Sequence, residues 1–350
     1  MLYIVTGATG HLGNTVVRKL RLEGHEVRAF VLENENTAML EPLGVKTYFG
    51  NVLDKDSIRA VLNLEGTTYT YADVCVIHTA GIISIANRQN KMMNRVNIEG
   101  TQNIVDIVKE LDIGHFIYIS SVHAIEEPFE DTLIYETLTF DESLVVGEYA
   151  KTKATATANV VQAMNEGLRT TIIHPSGIIG PYDYGKAHMT QLIEKYLNRK
   201  LNARIEGKYD FVDVRDVADA IYTASRKKAY GPFLITGEQI ELKKFFSVMQ
   251  EIAGRKSRAV VFPHWLVKIF VPLFERKAYV RGTTPLFTKY SLYTLTTHSR
   301  FSHEKAKAVL NYEPRPLEKT MIDTALWLVN EKRITKKRTL RFILHKFVKP

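Results

Sequence analysis

The stretch Leu2 to Gly13, LYIVTGATGHLG, decides the fold of this chain. A short run rich in β-branched residues stops at a turn with glycines at positions 7, 10 and 13. Glycine permits a left-handed turn, a close approach of the backbone to a phosphate, and tight packing of a helix on a strand. The spacing by itself also fits an ordinary turn between a strand and a helix. The residues that follow decide between these interpretations.

The segment after Gly13 completes a β-strand, α-helix, β-strand unit. One face of the predicted helix carries Val16, Val17, Leu20 and the aliphatic part of Arg21. Gly24 ends that helix, and a second strand begins at Val27. The free N–H groups and the positive dipole end at the helix start then point at an anion above the glycines. This arrangement predicts a site for a dinucleotide pyrophosphate.

Strand-like runs alternate with helical patterns through the first half of the chain. They are Leu2 to Thr6, Val27 to Leu32, Lys46 to Phe49, Val74 to Thr79, His115 to Ser120 and Thr170 to His174. Such alternation predicts a parallel sheet with helices on both faces. We predict the α/β class: a doubly wound parallel sheet (Rossmann fold) with a smaller, mostly helical C-terminal substrate lobe.

The rhythm loosens after Pro175, where proline and glycine become more frequent. We assign residues 1–175 to a dinucleotide-binding Rossmann domain, 176–330 to a substrate-binding lobe and 331–350 to a basic tail. A strand from the later half could still return to the sheet. The single cysteine, Cys75, lies in the apolar run DVCVIH, which indicates a buried strand residue and excludes an internal disulfide.

The sequence contains no segment that we predict to span a membrane. The first strand starts at Leu2, which leaves no room for a cleavable signal peptide, so we expect a cytoplasmic protein. The most apolar segment, WLVKIFVPLF at 265–274, is shorter than the ~20 residues that span a bilayer. We favour a helix that covers the substrate lobe; the alternatives are a lid over an apolar ligand and a helix that touches a membrane.

The net charge of +9 is concentrated at the C-terminus, because residues 331–350 carry eight Lys or Arg and one acid. The rest of the chain is nearly neutral, which argues against a nucleic-acid-binding face. The tail also holds Leu340, Phe342, Ile343, Leu344 and Phe347. We favour a partly helical terminus that packs a few apolar residues, with weak contact to anionic lipid as the alternative.

Tyr149 and Lys153 form the pattern Y-x-x-x-K, which on a helix sets both side chains on one face about one turn apart. An ammonium and a cationic nicotinamide both favour a phenolate, so we expect the pKa of this tyrosine to be lowered toward neutral pH. Tyr149 opens a regular helical stretch. It follows Ser121, which ends the fifth strand at the sheet edge where doubly wound folds bind ligands.

The same pattern occurs twice more, as Tyr182/Lys186 and Tyr196/Lys200. The first pair lies in the turn sequence PYDYGK, where no helix would align the two side chains. The second lies at a charged helix end, EKYLNRK, that we expect to be solvated. The predicted structural surroundings therefore favour Tyr149 and Lys153 as the functional pair.

The chain resembles the extended short-chain dehydrogenase/reductase family, within the NAD-dependent epimerase/dehydratase superfamily, and in particular its dihydroflavonol-reductase-like and 3β-hydroxysteroid-dehydrogenase-like branch. The motifs that carry the resemblance are TGATGHLG (6–13), GNVLD (50–54), VIHTAG (76–81), VNIEGTQN (96–103), YISSVHA (118–124), YAKTK (149–153), HPSGIIGP (174–181) and DFVDVRDVADA (210–220). They stand in family order over roughly residues 1–325.

The resemblance implies that Tyr149 is the general acid/base, that Lys153 activates it and binds the nicotinamide ribose, and that Ser121 orients the substrate oxygen. Asn97 is implied to bridge strands. The expected cofactor-binding residues are Gly7, Thr9, Gly10, His11, Leu12, Gly13, Glu33, Asn51, Val52, Thr79, Ala80, Gly81, Tyr149, Lys153, Pro175, Gly177 and Ile178. The expected substrate-facing residues are Ser84, His123 and Tyr182.

The cofactor is expected to be NAD or NADP. Glu33 lies twenty residues beyond Gly13, where an acid would accept from the ribose hydroxyl of NAD and repel the phosphate of NADP. A surface glutamate at a strand end explains it nearly as well, and the family's selecting residues fall nearer Val31 and Leu32. We favour NAD. The eleven histidines form no H-x-x-x-H or similar cluster, so we expect no metal.

The sequence therefore predicts an oxidoreductase that moves hydride between a nicotinamide and a secondary alcohol or ketone. Its expected partner is a small, apolar carbonyl or alcohol substrate, and a homodimer is compatible with the resembled family. Two alternatives are a nucleotide-sugar epimerase or dehydratase that recycles its NAD, and a non-catalytic NAD(P)-binding regulatory protein. The retained Tyr149 and Lys153 argue against the second of these.

Overall fold

The computed structural model describes residues 1–84, 90–127, 132–185, 187–201, 203–255, 260–262, 271, 288–297 and 300–348. In chain order its strands are β1 (Leu2–Thr6), β2 (Glu26–Val31), β3 (Lys46–Phe49), β4 (Val74–His78), β5 (His115–Ile119), β6 (Leu133–Ile134), β7 (Thr170–Pro175), β8 (Gly177–Ile179), β9 (Ala203–Ile205), β10 (Lys208–Asp213), β11 (Gly231–Ile235), β12 (Glu238–Glu241), β13 (Val260–Phe262) and β14 (Arg300–Phe301).

The α-helices are α1 (His11–Leu22), α2 (Lys55–Leu62), α3 (Lys91–Asn94), α4 (Thr101–Glu110), α5 (Glu148–Asn165), α6 (His188–Leu197), α7 (Val214–Lys227), α8 (Leu242–Ala253), α9 (Lys289–Thr296), α10 (Glu304–Leu310), α11 (Leu317–Asn330) and α12 (Lys337–Phe347). A π-helical segment, Arg95–Gly100, joins α3 to α4.

A seven-stranded parallel sheet carries the first half of the chain, in the order β11-β7-β5-β4-β1-β2-β3. The predicted doubly wound fold is confirmed. β11 comes from the later half and pairs with β7, with Phe233 opposite Ile173. The strand order reverses between β1 and β4, and in such sheets the crevice at that point, beyond the carboxyl ends of the strands, is where ligands bind.

Both faces of the central strands β1, β4 and β5 are buried, which explains why these three strands are almost continuously apolar. Successive residues of β1 point to opposite faces. Tyr3 and Val5 pack in a core with residues of α1 and α7, whereas Leu2 and Ile4 pack in a second core with residues of α2, α4 and α5. Cys75 is buried in β4, as predicted, and burial raises the pKa of its thiol.

A separate core lies in the later half, where α6, α8, α11 and α12 pack together. The C-terminal tail contributes to it: Ile343 is buried and Leu340 and Phe347 pack against the core, so the predicted helical terminus is confirmed. Its basic side chains Lys337, Arg338 and Arg341 are exposed. No helix in the described ranges combines the length and the apolar character needed to cross a bilayer. The apolar segment at 265–274 lies outside the described residues, apart from Val271.

Tyr196 was expected to be solvated, and this expectation was wrong. Its side chain is only 2% exposed, its ring packs against Phe246, and the guanidinium of Arg255 lies 5.5 Å from the ring centre. The charged residues around Tyr196 lie away from the buried face of α6 or beyond its end. Ile193, Tyr196 and Leu197 form the buried face at helical spacing. Lys200, beyond the end of this helix, is exposed.

Candidate active site

Two glycines of the turn between β1 and α1 are required there, each for its own steric reason. Gly7 has φ +65°, and a Cβ there would lie 2.8 Å from the Cα of Ala80. A Cβ on Gly13 would overlap with the carbonyl oxygen of Gly7. Larger residues at either position would push the turn away from the loop after β4.

The start of α1 offers backbone donors to an anion. The N–H of Asn14 donates to the carbonyl of Gly10 at 2.9 Å, the first bond of the helix. The N–H groups of His11, Leu12 and Gly13 therefore have no partner within the helix. Gly10 occupies the N-cap without a side-chain cap. A turn with glycine at positions 7, 10 and 13 and a helix start with free donors fit the pyrophosphate of a dinucleotide.

The ends of β1 and β4 are tied together beside this turn. The Thr79 hydroxyl donates to the Thr6 carbonyl at 2.6 Å, and the Ala80 N–H donates to the Thr6 hydroxyl at 3.2 Å. Gly81 follows, and a Cβ there would lie 3.8 Å from Nζ of Lys153. The loop predicted to line the cofactor thus runs from the glycine turn to Lys153.

Ser121, Tyr149 and Lys153 converge at the carboxyl edge of the sheet. Ser121 caps a short turn after β5, where its Oγ accepts from the N–H of His123 at 3.2 Å and also shares a hydrogen bond with Tyr149. Tyr149 and Lys153 lie in the first turns of α5, and both are buried. The Lys153 ammonium donates to the Ile119 carbonyl at 2.7 Å.

Burial dominates the electrostatics of this pair. It raises the pKa of Tyr149 to about 12, against a smaller lowering by the bond to Ser121, and it lowers the pKa of Lys153 to about 7. We expected the ammonium to lower the pKa of the phenol. In the polypeptide alone that expectation was wrong, because the cost of a phenolate in this apolar site is larger than the other effects.

Asn97 holds the framework of the site. Its Oδ1 accepts from the N–H of Ile82 at 2.8 Å, and its Nδ2 donates to the Ile82 carbonyl and to the Thr152 hydroxyl, both at 3.0 Å. It was expected to bridge two strands. Instead it joins the loop after β4 to helix α5, and so fixes the helix that carries Tyr149 and Lys153.

A second acid, Glu35, lies at the glycine turn two residues after the predicted Glu33, and both are exposed. Glu35 Oε2 accepts from the Thr9 hydroxyl of the glycine turn at 2.5 Å and from the N–H of Leu32 at 3.4 Å. Glu33 stays a prediction from sequence spacing, and the path of the chain after β2 adds Glu35 as a second candidate.

The expected adenine contacts lie at the end of β3. Asn51 is exposed, and its Oδ1 accepts from the N–H of Leu53 at 2.9 Å. Val52 is buried, and its carbonyl accepts from Nδ2 of Asn103 at 3.1 Å. The backbone of this loop is therefore fixed on both sides.

The residues expected near the nicotinamide follow β7. Pro175 ends that strand, whereas Gly177 and Ile178 belong to β8, which pairs with β10. A Cβ on Gly177 would overlap with the ring of Tyr209. Here glycine allows an aromatic side chain of β10 to approach.

The three expected substrate-facing residues occupy different places. His123 lines a shallow cleft together with Glu127, Tyr209 and Thr294. Ser84 is half-buried in the loop that Asn97 holds.

Tyr182 is held on the α1 side of the molecule. It has φ +71°, and the guanidinium of Arg18 lies 4.9 Å from its ring centre. The carbonyl oxygen of its neighbour Pro181 accepts a hydrogen bond from His11 Nε2 at 2.9 Å. Its ring therefore packs against α1, and nothing in these contacts brings it toward Ser121.

No group of three or more His, Cys, Asp or Glu side chains is placed to hold a metal ion among the residues that the structure describes.

Comparison with known families agrees with this geometry. The model of the NAD dependent epimerase/dehydratase family matches residues 3–235, which include the glycine turn, Ser121, Tyr149 and Lys153. The chain belongs to this family. The predicted resemblance to extended short-chain dehydrogenases/reductases is confirmed.

Full-length relatives of this family member include reductases. Sterol demethylase protein B of Methylococcus capsulatus is 28% identical over 93% of this chain and 98% of its own length. A putative dihydroflavonol 4-reductase of Synechocystis is 24% identical over 94% of each chain. The crystal structure of gox2253 shares 28% identity with a TM-score of 0.81, over 95% of this chain and 99% of that one.

Two residues of this family member escaped the sequence analysis. Tyr209 of β10 and Tyr290 of α9 are buried near Tyr149. Burial is the main cause that raises the pKa of each phenol; Glu127 is the next cause for Tyr209 and Tyr209 is the next for Tyr290, with a smaller contribution from Tyr149 to both. The motif DFVDVRDVADA gave a signal for β10, but Tyr209 stands just before it. Nothing local marks Tyr290, which is remote in sequence from the rest of the site.

Proposed function

We propose that this protein transfers hydride between the nicotinamide of NAD(P) and a secondary alcohol or ketone, with Tyr149 as the general acid/base. The observation that carries the proposal is the convergence of Ser121, Tyr149 and Lys153 beside the glycine turn. A bound nicotinamide supplies or accepts the hydride; the protein has to place the substrate oxygen and manage its proton.

In the reductive direction each of the three side chains has one task. The Ser121 hydroxyl donates to the substrate carbonyl and polarises it. The Tyr149 O–H gives its proton to the oxygen as negative charge develops there. Lys153, held by the Ile119 carbonyl, places a cation one helical turn away and stabilises that charge. Each effect is worth roughly a few kcal/mol of the barrier.

The raised pKa of Tyr149 suits this direction. A phenol with a pKa of about 12 stays protonated at neutral pH and can act as the acid. In oxidation the same group has to accept a proton, which requires added positive charge next to the phenol. A cationic Lys153 and an oxidised nicotinamide would both provide it.

We propose a ring-shaped, largely apolar substrate and a preference for NAD. The names of the relatives, a sterol demethylase protein and a dihydroflavonol reductase, support the first proposal. The carboxylate of Glu35 at the glycine turn supports the second, because it would repel a 2′-phosphate.

Tyr149→Phe tests the catalytic assignment. Because the variant lacks the transferable proton, we expect turnover with ketones and NADH to fall at least about 100-fold while NADH binding, measured by fluorescence, is retained. Tyr196→Phe is the matched control, since Tyr196 heads another Y-x-x-x-K pattern but lies in the core of the later half. Near wild-type turnover in Tyr149→Phe would refute the assignment.

The same assay separates the two enzyme classes. Reduction of a ketone consumes NADH and lowers its absorbance. Epimerisation of UDP-glucose leaves the cofactor absorbance unchanged at the end of the reaction. Conversion of the sugar nucleotide without net NADH loss, and no activity on ketones, would replace the proposed reaction with epimerisation.

A further inference from the structure

Helix α12 exposes a basic side that the proposed hydride transfer does not use. Its exposed residues recur at spacings of three and four, which places them on one side of the helix, and we call them the α12 face: Lys337, Arg338, Arg341, Leu344 and Val348. Lys336 and Lys346 are exposed as well. No acid follows Glu331 in the sequence. The α12 face therefore concentrates positive charge on one side of the later half.

The opposite side of α12 fixes the helix to the body of the protein. Ile343 is buried, and Leu340 and Phe347 pack against the core of the later half. The ring of Phe342 lies so close to Gly254, at the end of α8, that a Cβ on Gly254 would overlap with it. Because the helix is already packed, a partner that binds the α12 face does not have to order it first.

The charges of the α12 face are not neutralised by the protein. In the described part of the chain, no carboxylate oxygen lies within 4.0 Å of a nitrogen of Lys337, Arg338 or Arg341. By contrast, the exposed ammonium groups of Lys109 and Lys319 each pair with a carboxylate. Unpaired cations on one side of a helix produce a positive potential that attracts an anionic partner.

Two aliphatic side chains on the same face indicate which anionic partner fits. Leu344 is 38% exposed and Val348 is 55% exposed, and both lie among the cations. A nucleic acid would offer phosphates to the cations but would place a charged backbone against the aliphatic groups. The surface of a bilayer suits both, because phospholipid headgroups bind Lys and Arg while aliphatic side chains reach the boundary of the acyl chains.

We propose that the α12 face docks on the surface of a bilayer that contains anionic phospholipids. Each cation near such a surface strengthens binding roughly fivefold, so the contact is reversible and sensitive to salt. The helix lies on the bilayer and does not enter it, because its other side is occupied by the core of the later half. The proposal does not rest on the proposed function, since docking requires neither cofactor nor substrate.

Vesicle flotation with the full chain tests the proposal without any substitution. The probes are vesicles of phosphatidylcholine alone and vesicles in which about one third of the lipid is phosphatidylglycerol. We expect the partition coefficient of the wild-type protein to be at least about 30-fold higher for the anionic vesicles, and this preference to fall at least about tenfold when NaCl rises from about 50 to about 500 mM. Equal binding to both kinds of vesicle, or a preference that salt does not reduce, would overturn the proposal.

Reversal of two charges assigns the binding to the α12 face. Arg338→Glu combined with Arg341→Glu should lower the partition coefficient for anionic vesicles at least about 20-fold. The matched control is Arg226→Glu combined with Lys307→Glu, which changes the net charge equally at exposed positions of α7 and α10, the helices that pack in the core of the sheet. We expect the control to stay within about threefold of the wild type. Equal losses in the two double variants would show that only the net charge matters and would reject the α12 face.

The aliphatic pair separates a bilayer from a nucleic acid as the partner. Leu344→Ser combined with Val348→Ser should lower the partition coefficient for anionic vesicles about fivefold and leave the affinity for a fluorescent DNA duplex unchanged. Val309→Ser, at an exposed aliphatic position of α10, is the control and should bind vesicles like the wild type. Unchanged vesicle binding in the double serine variant would overturn the proposal in favour of a general site for polyanions.

Discussion

At the scale of single residues, burial sets the protonation of the site. Tyr149 and Lys153 are both enclosed by apolar neighbours, so the polypeptide favours the neutral form of each. Their pKa values move apart, to about 12 for the phenol and about 7 for the amine, so at neutral pH the phenol keeps the proton that it would give to a substrate oxygen. A lysine in this position carries a cost in stability that a purely structural residue would not.

Lys153→Met should remove the loss of stability that results from burying an ionisable lysine. The pKa of Lys153 falls from 10.5 in the unfolded chain to about 7 in the folded protein, so between these values the unfolded chain binds more protons. The free energy of unfolding of the wild-type protein should therefore rise with pH from 7 to 10. In the variant we expect this rise to be lost, together with a gain on the order of a few kcal/mol at pH 7.

Urea denaturation at pH 7 and pH 9 measures both effects. Lys151→Met, an exposed position on the same helix, is the control and should behave like the wild type. A wild-type profile that is flat over this interval, or that falls, would contradict the lowered pKa.

At the scale of elements, the site is built from the turns that follow parallel strands. The turns after β1, β4 and β5 supply the glycines, the loop up to Gly81, and Ser121. Helix α5 supplies Tyr149 and Lys153, the other two side chains of the proposed active site, and Asn97 ties it to the loop after β4. The turn after β2 adds Glu35, which reaches Thr9 in the turn after β1.

Glu35→Gln should relax the choice of cofactor. Loss of the carboxylate removes the repulsion of a 2′-phosphate, so we expect NADPH to bind several-fold more tightly relative to NADH. Equilibrium fluorescence titration gives both dissociation constants without turnover. Glu33→Gln is the matched control, two residues away and exposed. If Glu33→Gln changes the ratio of the NADPH and NADH dissociation constants and Glu35→Gln does not, then Glu33, the residue predicted from sequence spacing, selects the cofactor.

At the scale of the whole molecule, a largely buried ionic network joins strand β10 to α7, which packs on the seven-stranded sheet, and to α11 of the later core. Asp213, at the end of β10, accepts from Arg215 of α7 and from the Thr320 hydroxyl of α11. Arg215 also pairs with Asp323 of α11 at 2.7 Å. Burial opposes ionisation of Asp213, but the bonds and charge of Arg215 outweigh it and lower the pKa of that carboxyl.

Asp213→Asn should weaken the packing of β10 against α7 and α11. The change leaves Arg215 without its closest partner, and we expect a loss of about 3 kcal/mol at pH 7. Because the folded pKa of Asp213 is lowered, its contribution is complete above the unfolded pKa near 4 and is lost as pH falls further. The variant should therefore be less sensitive to acid than the wild type in urea titrations.

The exposed pair Lys55 and Asp106 provides the comparison. Its nitrogen and oxygen are 2.7 Å apart, and both side chains are about two-fifths exposed. Water and salt screen such a pair, so Asp106→Asn should cost less than about 1 kcal/mol. Similar losses in the two variants would show that Asp213 is no more important than a surface charge.

Local patterns in the sequence were sufficient to predict the strands of the sheet and the proximity of Ser121, Tyr149 and Lys153. The apolar strands, the glycine turn and the spacing of Tyr149 and Lys153 each express a backbone period or a steric requirement that a few neighbouring residues determine. Strand ends were placed within about one residue: β2 was predicted as Val27 to Leu32 and is Glu26–Val31.

Only the tertiary structure decided which distant residues share a site or a core. Tyr196 looked solvated because its charged neighbours occupy the other face of α6, and the partner that covers its ring is on α8. Glu35 contacts Thr9 because of the path that the turn after β2 takes, and Tyr290 lies near Tyr149 through the packing of α9 on β10. Sequence periodicity fixes the face that a residue presents, whereas its partner depends on long-range packing.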